Sequence, residues 1–195
     1  MRQISDEQLL GLFRQGDQQA FAQLVKKYEK ELYNFLAKFT GRSDLAEDIF
    51  QEAFLQVHIS AADFDITRSF RPWLYTIASN KARDAMRRSA RRPAVNLTAS
   101  QDDDSDFDLW NNLLRDETTP PDILDKKQQE QMVRQVVSQM PDNLREILIL
   151  AYFNQLSYKE MSESLGVPLG TVKSRLHAAV AAFAKKYHQA AGQHD

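Results

Sequence analysis

The chain has 195 residues, 43% of them hydrophobic and 27% charged, which suffices for one ordinary domain or, as read here, two small ones. It has no cysteine, which excludes disulfides, thiolate metal sites and thiol redox sensing. It also has a polar start and no apolar run near the roughly 18 residues of a membrane span, so a cytoplasmic protein without membrane insertion is expected.

The formal net charge of −2 conceals three blocks. Residues 1–93 carry fifteen Lys and Arg against twelve Asp and Glu, residues 94–125 one against nine, and residues 126–195 nine against six. Two mildly basic ends flank an acidic middle.

Ser5 and Gln8 have the spacing of a capping box, and Leu9, Leu10, Leu12 and Phe13 follow before Gly16 stops a short first helix. Asp17 can cap the second. Its apolar residues Phe21, Leu24, Val25, Tyr28, Leu32, Phe35, Leu36 and Phe39 recur at helical spacing up to Gly41. Ser43 and Asp44 open a third helix with Leu45, Ala46, Ile49, Phe50, Ala53, Phe54 and Val57 on one side. The other side carries Asp44, Glu47, Asp48, Gln51 and Glu52 around Leu55; it is either an ordinary solvated surface or a docking face for a basic partner helix.

Phe64 to Arg92 begins as an aromatic loop and ends as a basic helix. Pro72 suits a first helical turn, and no Gly or Pro follows until Pro93, so about 30 Å of helix is available. Trp73, Thr76, Asn80, Arg83, Arg87 and Arg91 fall on one stripe, flanked by Lys81, Arg88 and Arg92. Cations track a phosphate backbone, while Phe64, Phe70, Trp73 and Tyr75 offer rings on which unpaired bases stack. The alternative for each ring is a place in the core.

From Ala94 to about Pro121 periodicity is lost, and the acidic run reads as a flexible linker interrupted by Phe107, Leu109, Trp110, Leu113 and Leu114, a candidate docking motif. Asp122 or Asp125 caps a helix whose apolar residues Met132, Val133, Val136, Val137 and Met140 end at Pro141; Asp142 opens another with Leu144, Ile147, Leu148, Leu150, Ala151 and Phe153 to bury. Then Ser157 and Glu160 form a second capping box, Gly166 sits at a turn, and Pro168 to Thr171 start a further helix with Val172 and Leu176 inward. This is a helix-turn-helix, whose second helix would offer Thr171, Lys173, Ser174, Arg175 and His177 to a major groove; the alternative is a bundled helix pair with a Gly turn that meets no DNA.

In order, Asp44-Leu-Ala-Glu-Asp-Ile-Phe-Gln-Glu-Ala-Phe, Phe70-Arg-Pro-Trp-Leu-Tyr-Thr-Ile-Ala-Ser-Asn-Lys-Ala-Arg-Asp, an acidic linker, Met140-Pro-Asp-Asn-Leu-Arg-Glu-Ile-Leu and the helix-turn-helix from Leu156 to Leu176 resemble the extracytoplasmic-function group of sigma-70 family sigma factors. The resemblance implies an all-α protein of two small helical domains, 1–93 and 126–195, joined by a flexible acidic linker, 94–125. It implies binding to RNA polymerase core enzyme and promoter DNA, with no cofactor and no catalysis of its own. Asp44, Glu47, Asp48, Gln51, Glu52 and Leu55 would meet the polymerase clamp.

Phe64, Arg68 and Ser69 in the base-capturing loop, with Phe70, Trp73, Tyr75, Asn80, Lys81, Arg83, Arg87 and Arg88, would melt and read the minus-ten element. Lys159, Gly170, Thr171, Lys173, Ser174, Arg175 and His177 would read the minus-thirty-five element. Many relatives are held by an anti-sigma protein, and the resemblance allows the same here.

Two departures stand out. After Arg175 the helix runs Leu-His-Ala-Ala-Val-Ala-Ala-Phe, nearly uncharged until Lys185, so the upstream element is read weakly or this face is covered by a partner. The loop Asp65-Ile-Thr-Arg68 lacks the glycine expected in many relatives. Two rival readings are a helix-turn-helix regulator that binds duplex DNA without polymerase, and a helical enzyme with Glu47, Asp48, Glu52 and His58 as metal ligands.

Overall fold

The computed structural model describes residues 4–91 and 123–191, and the side chains of residues 91 and 123–128 are outside that description. The predicted linker with its Phe107 to Leu114 motif lies outside the described residues, as do Arg92 and Asp122.

Among the described residues every regular element is helical: α1 (Asp6–Arg14), α2 (Gln18–Thr40), α3 (Ser43–Ser60) and α4 (Phe70–Arg91), then α5 (Ile123–Ser138), α6 (Asp142–Tyr152), α7 (Tyr158–Leu165) and α8 (Leu169–Ala191). A short 3-10 turn, Ala61–Asp63, follows α3. α5 starts at Ile123, so helix begins inside the stretch expected to be linker.

The ends of these helices follow local chemistry. Both capping boxes form, Ser5 with Gln8 and Ser157 with Glu160, each satisfying two otherwise orphaned backbone donors. Asp17 caps α2 by accepting from the N–H groups of Gln19 and Ala20. Gly41 and Gly166 end α2 and α7 in the left-handed region, at φ of 70° and 63°, where a side chain would be strained. Gln155 occupies the same region at φ 51° without being glycine. It sits in the turn after α6, which the Leu156 N–H closes by donating to Leu150 O at 3.0 Å.

α1 to α4 pack into an N-terminal bundle and α5 to α8 into a C-terminal one, but the two are not apart. α4 packs on α7, and α2 on α6, so that a single apolar core runs from Leu10 and Phe35 through Leu74 and Ala78 to Ile147, Met161 and Val172. The expectation of two tethered modules therefore gains a specific arrangement: the C-terminal bundle is seated on the basic helix of the N-terminal one.

Candidate nucleic-acid and partner surfaces

Two residues of α1 position the loop that leads into α4. Arg14 donates from Nε to Ala61 O at 2.6 Å and from Nη2 to Ala62 O and to Phe64 O, the last at 2.7 Å. Glu7 accepts from the Phe70 N–H at 2.9 Å, satisfying a free donor at the start of α4. Within the loop, Asp65 accepts from the Thr67 N–H and hydroxyl at 2.9 and 2.7 Å, and the N–H bond above all holds its carboxyl below the ordinary carboxylate range. Thr67, Arg68 and Ser69 are left exposed, bordering an open cleft of about 840 Å³ whose other wall is α1. Nothing in the spacing of α1 marked Glu7 or Arg14 for this task, because each partner lies at least 47 residues away.

Along α4 the expected residues divide. Asn80, Arg87 and Arg88 are exposed, and Trp73, Lys81 and Arg83 are half-buried. Trp73 stacks on Phe64 with ring centroids 4.3 Å apart, and Phe64 itself is buried. Phe64, Phe70 and Tyr75 correct the sequence reading: they are 7%, 0% and 0% exposed, Phe64 and Phe70 lying under Trp73 and Tyr75 packing on Phe35 of α2, so none of the three rings is open to a base in this arrangement. An aromatic residue on the core face of a helix looks the same in sequence as one on its free face unless the rotation of the helix is known.

Tyr75 instead joins the two bundles by hydrogen bonds. Its hydroxyl donates to Glu31 Oε1 and accepts from Asn154 Nδ2, both at 2.8 Å. Burial and the adjacent Glu31 carboxylate push the phenol far above its ordinary range. Arg71 pairs with Glu31, donates to Asn154 O at 2.5 Å and approaches Glu160 at 4.0 Å. Ser164 Oγ donates to Pro72 O at 3.1 Å. Further along, Arg83 Nη1 lies 3.8 Å from Glu146 Oε2 on α6, while its Nη2 donates to Asn80 Oδ1 at 2.7 Å. Burial holds the Glu146 carboxyl above its ordinary value although Arg83 and Arg175 pull it down. One buried carboxylate thus faces a cation from each predicted DNA helix.

The acidic side of α3 is as expected from its periodicity. Asp44, Glu47, Asp48, Gln51 and Leu55 are exposed and Glu52 is half-buried. Ile59, 64% exposed one turn beyond Leu55 at 61%, extends the apolar strip and went unnoticed in the sequence. Asp44 is clasped by Arg42 at 2.6 Å, which lowers its carboxyl pKa, and Glu52 lies 3.6 Å from Lys81 of α4. These exposed pairs contribute at most about 1 kcal/mol each.

In the C-terminal bundle α7, the Gly166 turn and α8 form the helix-turn-helix. Ser162 Oγ donates to Val167 O at 2.6 Å across the turn, and Val172 and Leu176 are buried. Lys159, Gly170, Lys173, Ser174 and His177 are exposed, with Thr171 and Arg175 half-buried on the same end of α8. His58 packs on Phe13 and Phe21, and among the described residues no group of three His, Asp or Glu is placed to hold a metal ion. No helix among the described residues is long and apolar enough to cross a membrane.

The sigma-70 region 2 family model matches residues 24–92, and the sigma-70 region 4 model matches residues 130–183. The chain is 34% identical to the ECF RNA polymerase sigma factor SigW of Bacillus subtilis, over 84% of this chain and 87% of SigW. It is 32% identical to the RNA polymerase sigma-H factor of Pseudomonas aeruginosa, over 92% of each chain. Its fold is similar to that of CnrH in complex with the cytosolic domain of CnrY, with a TM-score of 0.67 at 23% identity over 92% of this chain and 95% of that one. With the two sigma regions matched in order and a relative 34% identical over most of both chains, the chain belongs to the extracytoplasmic-function group of RNA polymerase sigma factors, which direct promoter-specific initiation and are not enzymes.

Proposed function

We propose that the exposed part of α4, from Trp73 through Asn80 to Arg88, takes the unpaired minus-ten strand, and that Thr67, Arg68 and Ser69 hold a flipped base at its entrance. The observation that carries this is the line of half-buried Trp73, exposed Asn80 and exposed Arg87 and Arg88, ending at a loop fixed by Arg14. Opening a duplex costs a few kcal/mol per flipped base, which stacking and phosphate contacts offset. The exposed end of α8, with Lys159 of α7, reads the minus-thirty-five element as duplex. The acidic face of α3, with Leu55 and Ile59, grips the polymerase, and the protein works in the cytoplasm.

This reading requires the bundles to part, since Glu146 holds Arg83 in the closed arrangement. An anti-sigma protein that favours closure would inhibit. The test is in vitro transcription with core enzyme and mapped start sites. Trp73→Ala should lower opening of duplex promoter at least tenfold and leave a pre-melted template nearly unaffected; equal loss on both templates would remove Trp73 from strand capture.

A further inference from the structure

One side of α1 takes no part in packing the bundle. Leu9, Leu10 and Phe13 are buried, while Gln8, Leu12 and Gln15 are exposed and, with half-buried Gly11, fall on a single stripe at spacings of three and four. That stripe lines the cleft of about 840 Å³ whose opposite wall is the loop Ile66 to Ser69. Leu12 and Ile66 line it from opposite sides, and both are large apolar side chains left exposed.

Gly11 is the informative residue. It stands inside a helix, where alanine is the better helix former, and a Cβ added there would meet nothing within 4 Å beyond its own stretch of helix. Packing therefore does not demand a glycine. What a bare backbone does offer is close approach by a flat ligand.

We propose, on the footing that the loop holds a flipped base through Thr67, Arg68 and Ser69, that the α1 stripe binds a second unpaired base next to it, so that the cleft takes two successive nucleotides of the melted strand. The second ring lies over Gly11 with Leu12 and Ile66 as its apolar flanks, since extruded bases are held by stacking on apolar side chains. Its edge meets the amides of Gln8 and Gln15, the groups that read unstacked bases by hydrogen bonds. Gln8 already accepts from the Ser5 N–H through Oε1 at 2.9 Å, so its NH2 is the side it offers.

Charge decides which part of the nucleotide faces α1. None of the four residues of the stripe is a cation, and Glu7 beside them is a carboxylate that also lines the cleft. Arg14 of the same helix is committed to the carbonyls of Ala61, Ala62 and Phe64. Arg68, on the loop side, is an exposed cation at the cleft. Phosphates therefore follow the loop, and bases turn toward α1.

The test uses holoenzyme, assembled from core polymerase and the full chain, on a pre-melted promoter fragment with a mapped start site. A fluorescent adenine analogue is moved one position at a time along the unpaired strand. With the parent, two adjacent positions should be shielded from acrylamide. Arg68→Ala should unshield one of them, and Gly11→Gln and, separately, Gln15→Ala should unshield the other. Gly11→Ala should weaken fragment binding about threefold while raising the melting temperature of the free protein by about 2–4 °C, opposite movements that a glycine kept for packing would not give. Shielding at one position only, or a second shielded position indifferent to Gly11→Gln and Gln15→Ala, would overturn the α1 site and leave the loop's role standing. If Arg68→Ala leaves every position shielded, the loop's role falls and the α1 site with it.

Discussion

Tyr75→Phe tests whether the two bundles hold together in solution as they do here. The substitution keeps the ring, which is 0% exposed, and removes a hydroxyl that bridges Glu31 and Asn154 at 2.8 Å each. Glu31 retains Arg71, so its loss is small. Asn154 is the side that suffers: it is 5% exposed, its Oδ1 has no hydrogen-bond partner, and Nδ2 would now lose the phenol as well. Stranding a buried donor costs about 1–3 kcal/mol. Taking about 2 kcal/mol, and roughly 2–4 °C per kcal/mol for a chain of this size, the melting temperature should fall by about 4–8 °C.

Asn154→Ala removes the same bond from the other end, so the double variant should be less destabilised than the sum, by about 1–2 kcal/mol. Thermal and urea unfolding of the four proteins, without polymerase or DNA, measures that coupling. Losses that add to within about 0.5 kcal/mol would show that these side chains do not meet in the free protein, and the seating of α6 and α7 on α2 and α4 would be refuted.

The remaining predictions concern charge and loop position. Because burial raises the Glu146 carboxyl in the folded state, its stabilising contribution is complete below the ordinary value of 4.5 and is lost as pH rises through the folded value. Stability of Glu146→Gln measured relative to the parent should therefore improve as pH is raised from about 4.5, and a difference constant with pH would contradict the burial of this group. The same variant frees Arg83, so the isolated protein should bind single-stranded minus-ten DNA more tightly, as read by fluorescence anisotropy.

Lys38 is lowered from 10.5 to about 8 by burial and then by Arg134, so the parent should gain stability from this group between pH 8 and 10.5, a slope that Lys38→Met should lack in denaturant titrations. Arg14→Ala should impair promoter opening, followed by permanganate footprinting, with Arg14→Lys failing to rescue because an ammonium cannot reproduce the fork to three carbonyls.

Sequence alone determined which segments are helical and where they stop, because caps and left-handed glycines are local devices: Ser5, Asp17, Gly41, Ser157 and Gly166 act on partners within five residues. It also determined the acidic face of α3 and the exposed residues at the start of α8, since a face defined by period 3.6 needs no knowledge of neighbours. The family followed from the order of those motifs.

Only the tertiary structure decided which way α4 is turned. That rotation leaves Trp73 half-buried at the edge of the core and puts Phe70 and Tyr75 inside it. It likewise brought Arg14 to the loop, Asn154 to Tyr75 and Glu146 to Arg83, contacts between residues 47 to 79 positions apart. Such pairings are selected by how apolar faces interlock when bundles close on one another, and no spacing along the chain encodes them.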